Sequence, residues 1–197
     1  MKHLSSYIKV VTLLSGITLL NACNSPEKQT EQIPVPVEKT VEEPAEAKDY
    51  ALLAFDASDA WLTEHVFSKE YKAAELSEAE LRLTDSLMEV FLATYNKEEV
   101  PKILKRYMEQ KPKDKAELSW FSIDLKLYKK QYIAVLNTKG EKEVWANCFS
   151  KAIEERIEFT DWKKIPVRVS GGGTNFFNLK VNLAQQTIYD FKVNSKD

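Results

Sequence analysis

Histidine and cysteine are nearly missing from this chain of 197 residues, with only His3, His65, Cys23 and Cys148. Sites built from several histidines are excluded, and zinc hydrolysis, which draws on three protein ligands, has little to work with. Glycine is scarce as well: five residues, three of them in the single run Gly171-Gly172-Gly173. Neither charge dominates, since 28 basic residues face 30 acidic ones, and over residues 49–197 the balance is 23 to 24. That balance gives no support for a nucleic-acid partner or a polybasic membrane patch. No apolar run reaches the roughly 20 residues needed to cross a bilayer. The longest, Val10 to Leu20, makes only ~16 Å of helix. No internal repeat is visible.

What is present begins at the start of the chain. Lys2 and Lys9 flank the apolar run, and Leu20-Asn21-Ala22-Cys23 closes it. This arrangement resembles the signal peptide and lipobox of bacterial lipoproteins. The resemblance implies removal of residues 1–22, a diacylglyceryl group on the Cys23 thiol and acylation of the new amino terminus. Several acyl chains, at ~0.8 kcal/mol per buried methylene, would hold the protein on a membrane permanently. The alternative is an ordinary secretory signal. Asn24-Ser25-Pro26 lacks the aspartate that retains many such proteins at the inner membrane. The expected location is therefore the outer membrane, with the side it faces left open. With residues 1–22 removed and Cys23 acylated, His65 and Cys148 stand alone, and an intramolecular disulfide is ruled out.

Residues 23–48 carry Pro26, Pro34, Pro36, Pro44 and six glutamates without one aromatic residue. A segment with so little to bury reads as a disordered tether. Its coil length of roughly 25–30 Å would lift the following domain off the lipid.

From Asp49 onward the composition becomes that of a single domain of about 149 residues, enough to bury a core. Ser77-Glu78-Ala79-Glu80 is a capping box. Leu83, Leu87, Val90, Phe91 and Thr94 follow at three- and four-residue spacing, predicting a helix over 77–95 that Asn96 and Pro101 interrupt. Val100, Ile103, Leu104, Tyr107 and Met108 predict a second, shorter helix ending before Pro112. Residues 50–74 admit a helical turn or packed coil around Trp61, Val66 and Phe67. The second half alternates. Residues 132–137 and 143–149 flank a turn at Asn137-Thr138-Lys139-Gly140. Further strands are predicted over 165–170, 176–183 and 188–193. The expected fold is α+β, with N-terminal helices packed on one face of a C-terminal antiparallel sheet of four to five strands.

Pairing Asn137 with Glu141 places Tyr132, Ala134, Leu136, Val144, Ala146 and Cys148 on one apolar face, to be joined by Phe177, Leu179, Val181 and Leu183. The opposite face then mixes aromatics with amides: Trp145, Asn147, Phe176, Asn178, Lys180 and Asn182. These six form a candidate partner-binding face. The competing expectation is a solvated face, or one covered by residues 50–74. Gly172, Gly173 and Asn175 are candidate loop contacts, although the alternating strand after the glycine run argues for a hairpin turn over a phosphate cradle, which needs a following helix.

No catalytic residue, metal site or cofactor is expected. His65 lacks a nucleophile-elbow motif and reads as a surface or cap histidine. Cys148 reads as a buried thiol, since nothing flanking it would activate it. Carboxylates are the only abundant catalytic groups; Glu154, Glu155, Glu158 and Asp161 are clustered, and Glu154 and Glu158 fit an exposed helix face beside Lys151 and Arg156.

The blocks 128–133, 140–149 and 176–183 resemble a group of small exported proteins from Bacteroidota, and the final hairpin is similar to strand pairs of PepSY-like or cystatin-like domains. The likeness implies binding or inhibition and carries no catalytic motif. The expected function is a lipid-anchored binding or accessory module with an envelope protein or glycan partner. A small hydrolase using acidic residues and a structural envelope lipoprotein are the alternatives.

Overall fold

The computed structural model describes residues 48–154 and 161–195. Residues 1–47, with the expected lipidation at Cys23, and the carboxylates Glu155 and Glu158 lie outside the described residues. The described chain is a mixed α+β fold built on a six-stranded sheet. The strands are β1 (Tyr50–Leu53), β2 (Lys72–Ala74), β3 (Tyr128–Leu136), β4 (Lys142–Ser150), β5 (Phe176–Asn182) and β6 (Thr187–Val193). Their order is β1-β3-β4-β5-β6. β1 runs parallel to β3, and β2 pairs antiparallel with the far end of β3. The other pairings are antiparallel.

Helix α1 (Ala60–His65) starts where the Asp59 carboxylate accepts the amides of Trp61 and Leu62. Helix α2 (Glu78–Glu98) opens with the predicted capping box, the Ser77 amide donating to Glu80 Oε2 at 2.9 Å. Its buried stripe, Leu81, Thr84, Leu87, Met88 and Leu92, follows the three- and four-residue spacing. The helix passes through Asn96 instead of stopping there. The Asn96 side chain bonds both the amide and the carbonyl of Ile123, at 2.9 and 2.7 Å, and so never competes for its own backbone. Helix α3 (Val100–Gln110) has Pro101 in its first turn, where the missing amide costs nothing. A single turn, α4 (Lys151–Glu154), follows β4.

The hairpin joining β3 to β4 has the predicted register, Tyr132 opposite Ala146. Gly140 takes φ +78°, and Asn137 Oδ1 accepts the amides of Lys139 and Glu141. One sheet face packs against α2 through Leu87, Met88, Tyr132, Val144, Cys148, Phe177 and Leu179. The opposite face is also covered, which gives the sheet a layer on each side. Phe55, Leu62, Val66 and Phe67 pack on Ile133, Val135 and Trp145. Trp162, Val167 and Val169 pack with Ala51, Phe149 and Phe176.

Residues 165–170 are not a strand. Pro166 has no amide to offer a ladder. The amide of Val167 donates to Gln131 Oε1 and its carbonyl accepts from Asn147 Nδ2, both at 2.8 Å. The segment is an extended strap bonded to side chains of the sheet, and its alternation imitates a strand.

Glu80 links the start of α2 to β4, accepting from Lys142 Nζ at 2.6 Å. That bond and the Ser77 amide hold its carboxyl down at about 2. Glu141, accepting from Gln185, Asn137 and Asn182, is likewise held at about 2. Because both folded-state values lie below the ordinary 4.5, their stabilisation is complete above that pH and is lost as pH falls toward 2. Unfolding free energy measured from pH 5 to pH 2 should fall with acidification, and Glu80→Gln should flatten the slope.

Candidate functional site

The register brings the six residues of the candidate face together as cross-strand partners: Trp145 opposite Lys180, Asn147 opposite Asn178, and Asn182 opposite Glu143, with Phe176 opposite Phe149. They do not form an open surface. Trp145 is 2 % exposed, and Asn147, Phe176 and Asn182 are also buried. Of the two expectations the covered face holds and the exposed one does not: residues 55–71 and the strap lie over it, because a face carrying Trp145, Phe149 and Phe176 is too apolar to leave in water. The indole nitrogen of Trp145 donates to Asn178 Oδ1 at 3.3 Å. Lys180, half-buried, pairs with Asp190 at 3.0 Å. Asn182 donates to Glu141 and accepts the Gln185 amide, fixing the last hairpin turn.

Two side-chain assemblies hold the covering layer in place. Gln131, fully buried, donates to the carbonyls of Trp162 and Ile165 and accepts from Val167 and Asn147. Nearer the solvent, Arg168 stacks 4.6 Å from the Trp61 ring centroid and pairs with Asp59, the residue that caps α1. His65 stacks on Trp61 at 5.5 Å, with Nδ1 3.1 Å from the Trp61 carbonyl oxygen. His65 is thus an exposed helix-end residue stacked on Trp61, with Nδ1 directed at a backbone carbonyl.

A different carboxylate pair converges at the hairpin end of the sheet. Asn137 Nδ2 donates to Glu141 at 3.1 Å and to Glu143 at 2.7 Å. Glu143 also takes the Tyr189 hydroxyl at 2.5 Å. A general acid needs a raised pKa. The donors around Glu141 push it the opposite way, and the bonds of both carboxylates to Asn137, Asn182, Gln185 and Tyr189 make the cluster a fastening between two turns. Of the carboxylates singled out in the sequence, Asp161 sits at φ +65° and pairs with Lys164 at 3.5 Å.

Cys148 is buried as expected, and burial pushes its thiol up. Lys130, directly across the strand, is bound instead to Asp85 of α2 at 2.9 Å, and the Tyr132 hydroxyl donates to the same carboxylate. The three side chains tie helix to sheet.

The glycine run is a tightly bonded corner. Asn194 Nδ2 donates to the carbonyls of Val169 and Gly171 at 2.8 and 2.9 Å, and the Gly173 amide donates to Ser195. Gly173 is buried, Asn175 is half-buried with its side-chain amide on the Gly172 carbonyl, and Gly172 is exposed. Gly172 needs φ +86°, and a methyl group there would sit 2.8 Å from the Phe176 ring. Gly172→Ala should cost about 2–3 kcal/mol from left-handed strain and overpacking. Gly140→Ala, at φ +78° with nothing within 4 Å, should cost about 1 kcal/mol. Paired urea titrations separate the two.

Beside this corner the chain exposes apolar side chains. Short 3₁₀ turns at Leu118–Trp120 and Leu125–Leu127 carry Leu118, Trp120 and Leu127 at 48 %, 43 % and 59 % exposure. Thr174 connects them: its hydroxyl donates to the Trp120 carbonyl at 3.2 Å, and its carbonyl accepts the hydroxyl of Tyr128, next to Leu127, at 2.6 Å. The sequence pointed to the 171–175 loop but not to Leu118, Trp120 and Leu127. The signal was apolar Leu118 and Trp120 interrupting a polar run without either periodicity.

Comparison of the chain with protein-family models, with curated proteins and with solved structures gives no match. Among the described residues, no helix is long and apolar enough to cross a membrane, and no group of three histidine, cysteine or acidic side chains is placed to hold a metal ion.

Proposed function

We propose that this protein is a lipid-anchored binding or accessory module of the cell envelope, held through Cys23 at the outer membrane. Its contact surface is the corner formed by residues 118–120, 125–127 and 171–175. The observation that carries the reading is the exposure of Leu118 and Trp120 beside the Thr174 loop, with Leu127 also exposed just before β3. Large apolar side chains gathered at a surface mark contact sites, and tryptophan is the residue most enriched in them. The lipobox pattern supports the anchor. The converging Glu141 and Glu143 carboxylates give a hydrolase little support, since their oxygens are engaged by neighbouring side chains.

The test has two arms in intact cells. Radiolabelled fatty acid should enter the protein and be lost with Cys23→Ser. A photo-crosslinking residue at position 118 or 127 should capture an envelope component that the same probe at Glu89, exposed on α2, does not. Identical capture from all three positions would overturn the assignment of the corner.

A further inference from the structure

The same corner lies next to a basic segment that whole-chain charge balance conceals. Residues 99–117 carry Lys102, Lys105, Arg106, Lys111, Lys113 and Lys115 against Glu99, Glu109, Asp114 and Glu117, and Glu99 pairs with Lys102 at 2.8 Å. All six basic residues are exposed. Asp114, between Lys113 and Lys115, accepts the Tyr107 hydroxyl at 2.6 Å and keeps its charge. The apolar side of α3 turns inward through Val100, and its basic side therefore faces water. Tyr107 joins the two regions: its ring lies 6.5 Å from the Trp120 ring, and Lys111 Nζ lies 5.5 Å from its centroid.

We infer that this surface rests on an anionic phospholipid bilayer, with Leu118 and Trp120 at the headgroup boundary and the lysines of residues 111–115 against lipid phosphates. The inference builds on the envelope-binding reading above and names the partner of that corner. Charge complementarity selects lipid. Basic side chains are attracted to an anionic leaflet additively, by about fivefold in affinity each. Tryptophan at the edge of such a cluster is the side chain that partitions to the headgroup level. A domain tethered to a membrane meets this surface at high effective concentration, so modest intrinsic affinity suffices.

The experiment uses the full chain with Cys23→Ser, so that the outcome does not depend on acylation. A polarity-sensitive fluorophore is placed through Ser119→Cys, between Leu118 and Trp120. A matched control carries it through Ser86→Cys on the outer side of α2. The chain is mixed with vesicles of phosphatidylglycerol and phosphatidylethanolamine, or of phosphatidylcholine alone. The Ser119→Cys probe should shift to the blue on the anionic vesicles only. The shift should reverse in 0.5 M salt and need about a hundredfold more lipid after Lys111→Gln, Lys113→Gln and Lys115→Gln together. No shift on anionic vesicles, an equal shift in the triple variant, or an equal shift from the Ser86→Cys probe would overturn the inference. Absence of a shift combined with specific protein capture from position 118 in cells would sink the lipid assignment and leave the binding reading standing.

Discussion

Gln131→Ala should lower the unfolding free energy by roughly 3–5 kcal/mol and free the strap over residues 162–169. Gln131 is fully buried, and its one amide satisfies two carbonyls, one backbone amide and the Asn147 side chain. Truncation strands those groups in a place where each unpaired polar atom costs about 1–3 kcal/mol, with water reaching some of them. Gln131→Leu, which keeps the volume, should lose nearly as much, because the loss is in hydrogen bonds and not in packing. Hydrogen exchange adds a positional readout: the Val167 amide, which donates to Gln131, should exchange faster, while amides along α2 keep the protection set by global stability. Uniform loss of protection across both regions would mean that the strap is not separately held.

The part of the fold that was legible in the sequence is the part governed by local periodicity. The capping box at Ser77, the two helices after it and the hairpin around Asn137 each follow from short-range chemistry, and the register that puts Tyr132, Val144 and Cys148 under α2 follows from the turn. Non-local pairing was not legible. β1 and β2 have four and three residues, too few for alternation to register, and they exist because the edge of β3 needs partners. The strap shows the converse error. Its residues 165–170 alternate, yet its hydrogen bonds go to Gln131 and Asn147 side chains, a choice visible only once those side chains are on one face.

The candidate site was legible as an arrangement, and of the two expectations for it, an open face or one covered by the segment before Ala74, the covered face is the one found. Trp145, Asn147, Asn178 and Lys180 do share a face, as period-two spacing requires. Whether water or protein lies above that face depends on where residues 55–71 and 162–169 dock, and pattern along a strand carries no information about that. The glycine run behaved similarly. The expected hairpin turn is not formed, since the strap and not a strand precedes the run and a 3₁₀ turn follows it, and its closure by Asn194 and Ser195 depends on partners more than twenty residues away. The exposed corner went unread for a simpler reason: isolated apolar residues in a polar stretch are common, and only the bonds through Thr174 gather these.

Trp145→Ala separates the two readings of the sheet face by magnitude. On an open face, removing the indole would change stability by about 0.5 kcal/mol or less, as surface substitutions do. Beneath α1 it should cost roughly 3–5 kcal/mol, the usual range for truncating a buried tryptophan. The indole is 2 % exposed, packs against Phe55, Leu62 and Phe67, and lies 6.0 Å from the Trp61 ring. Its removal opens a cavity between sheet and α1 and leaves the Asn178 carbonyl without its donor. Trp61 then loses its inner support while still clasped by Arg168 and His65. Trp145→Phe, which refills most of the volume, should recover more than half of the loss. Arg168→Ala, at the solvent edge of the same layer, should cost only about 1 kcal/mol, in line with a half-exposed ion pair and one cation–π contact. Urea unfolding of these three variants tests the ordering. A near-zero effect of Trp145→Ala beside a large effect of Arg168→Ala would mean that the covering layer is held from its rim and not by the packed indole beneath it.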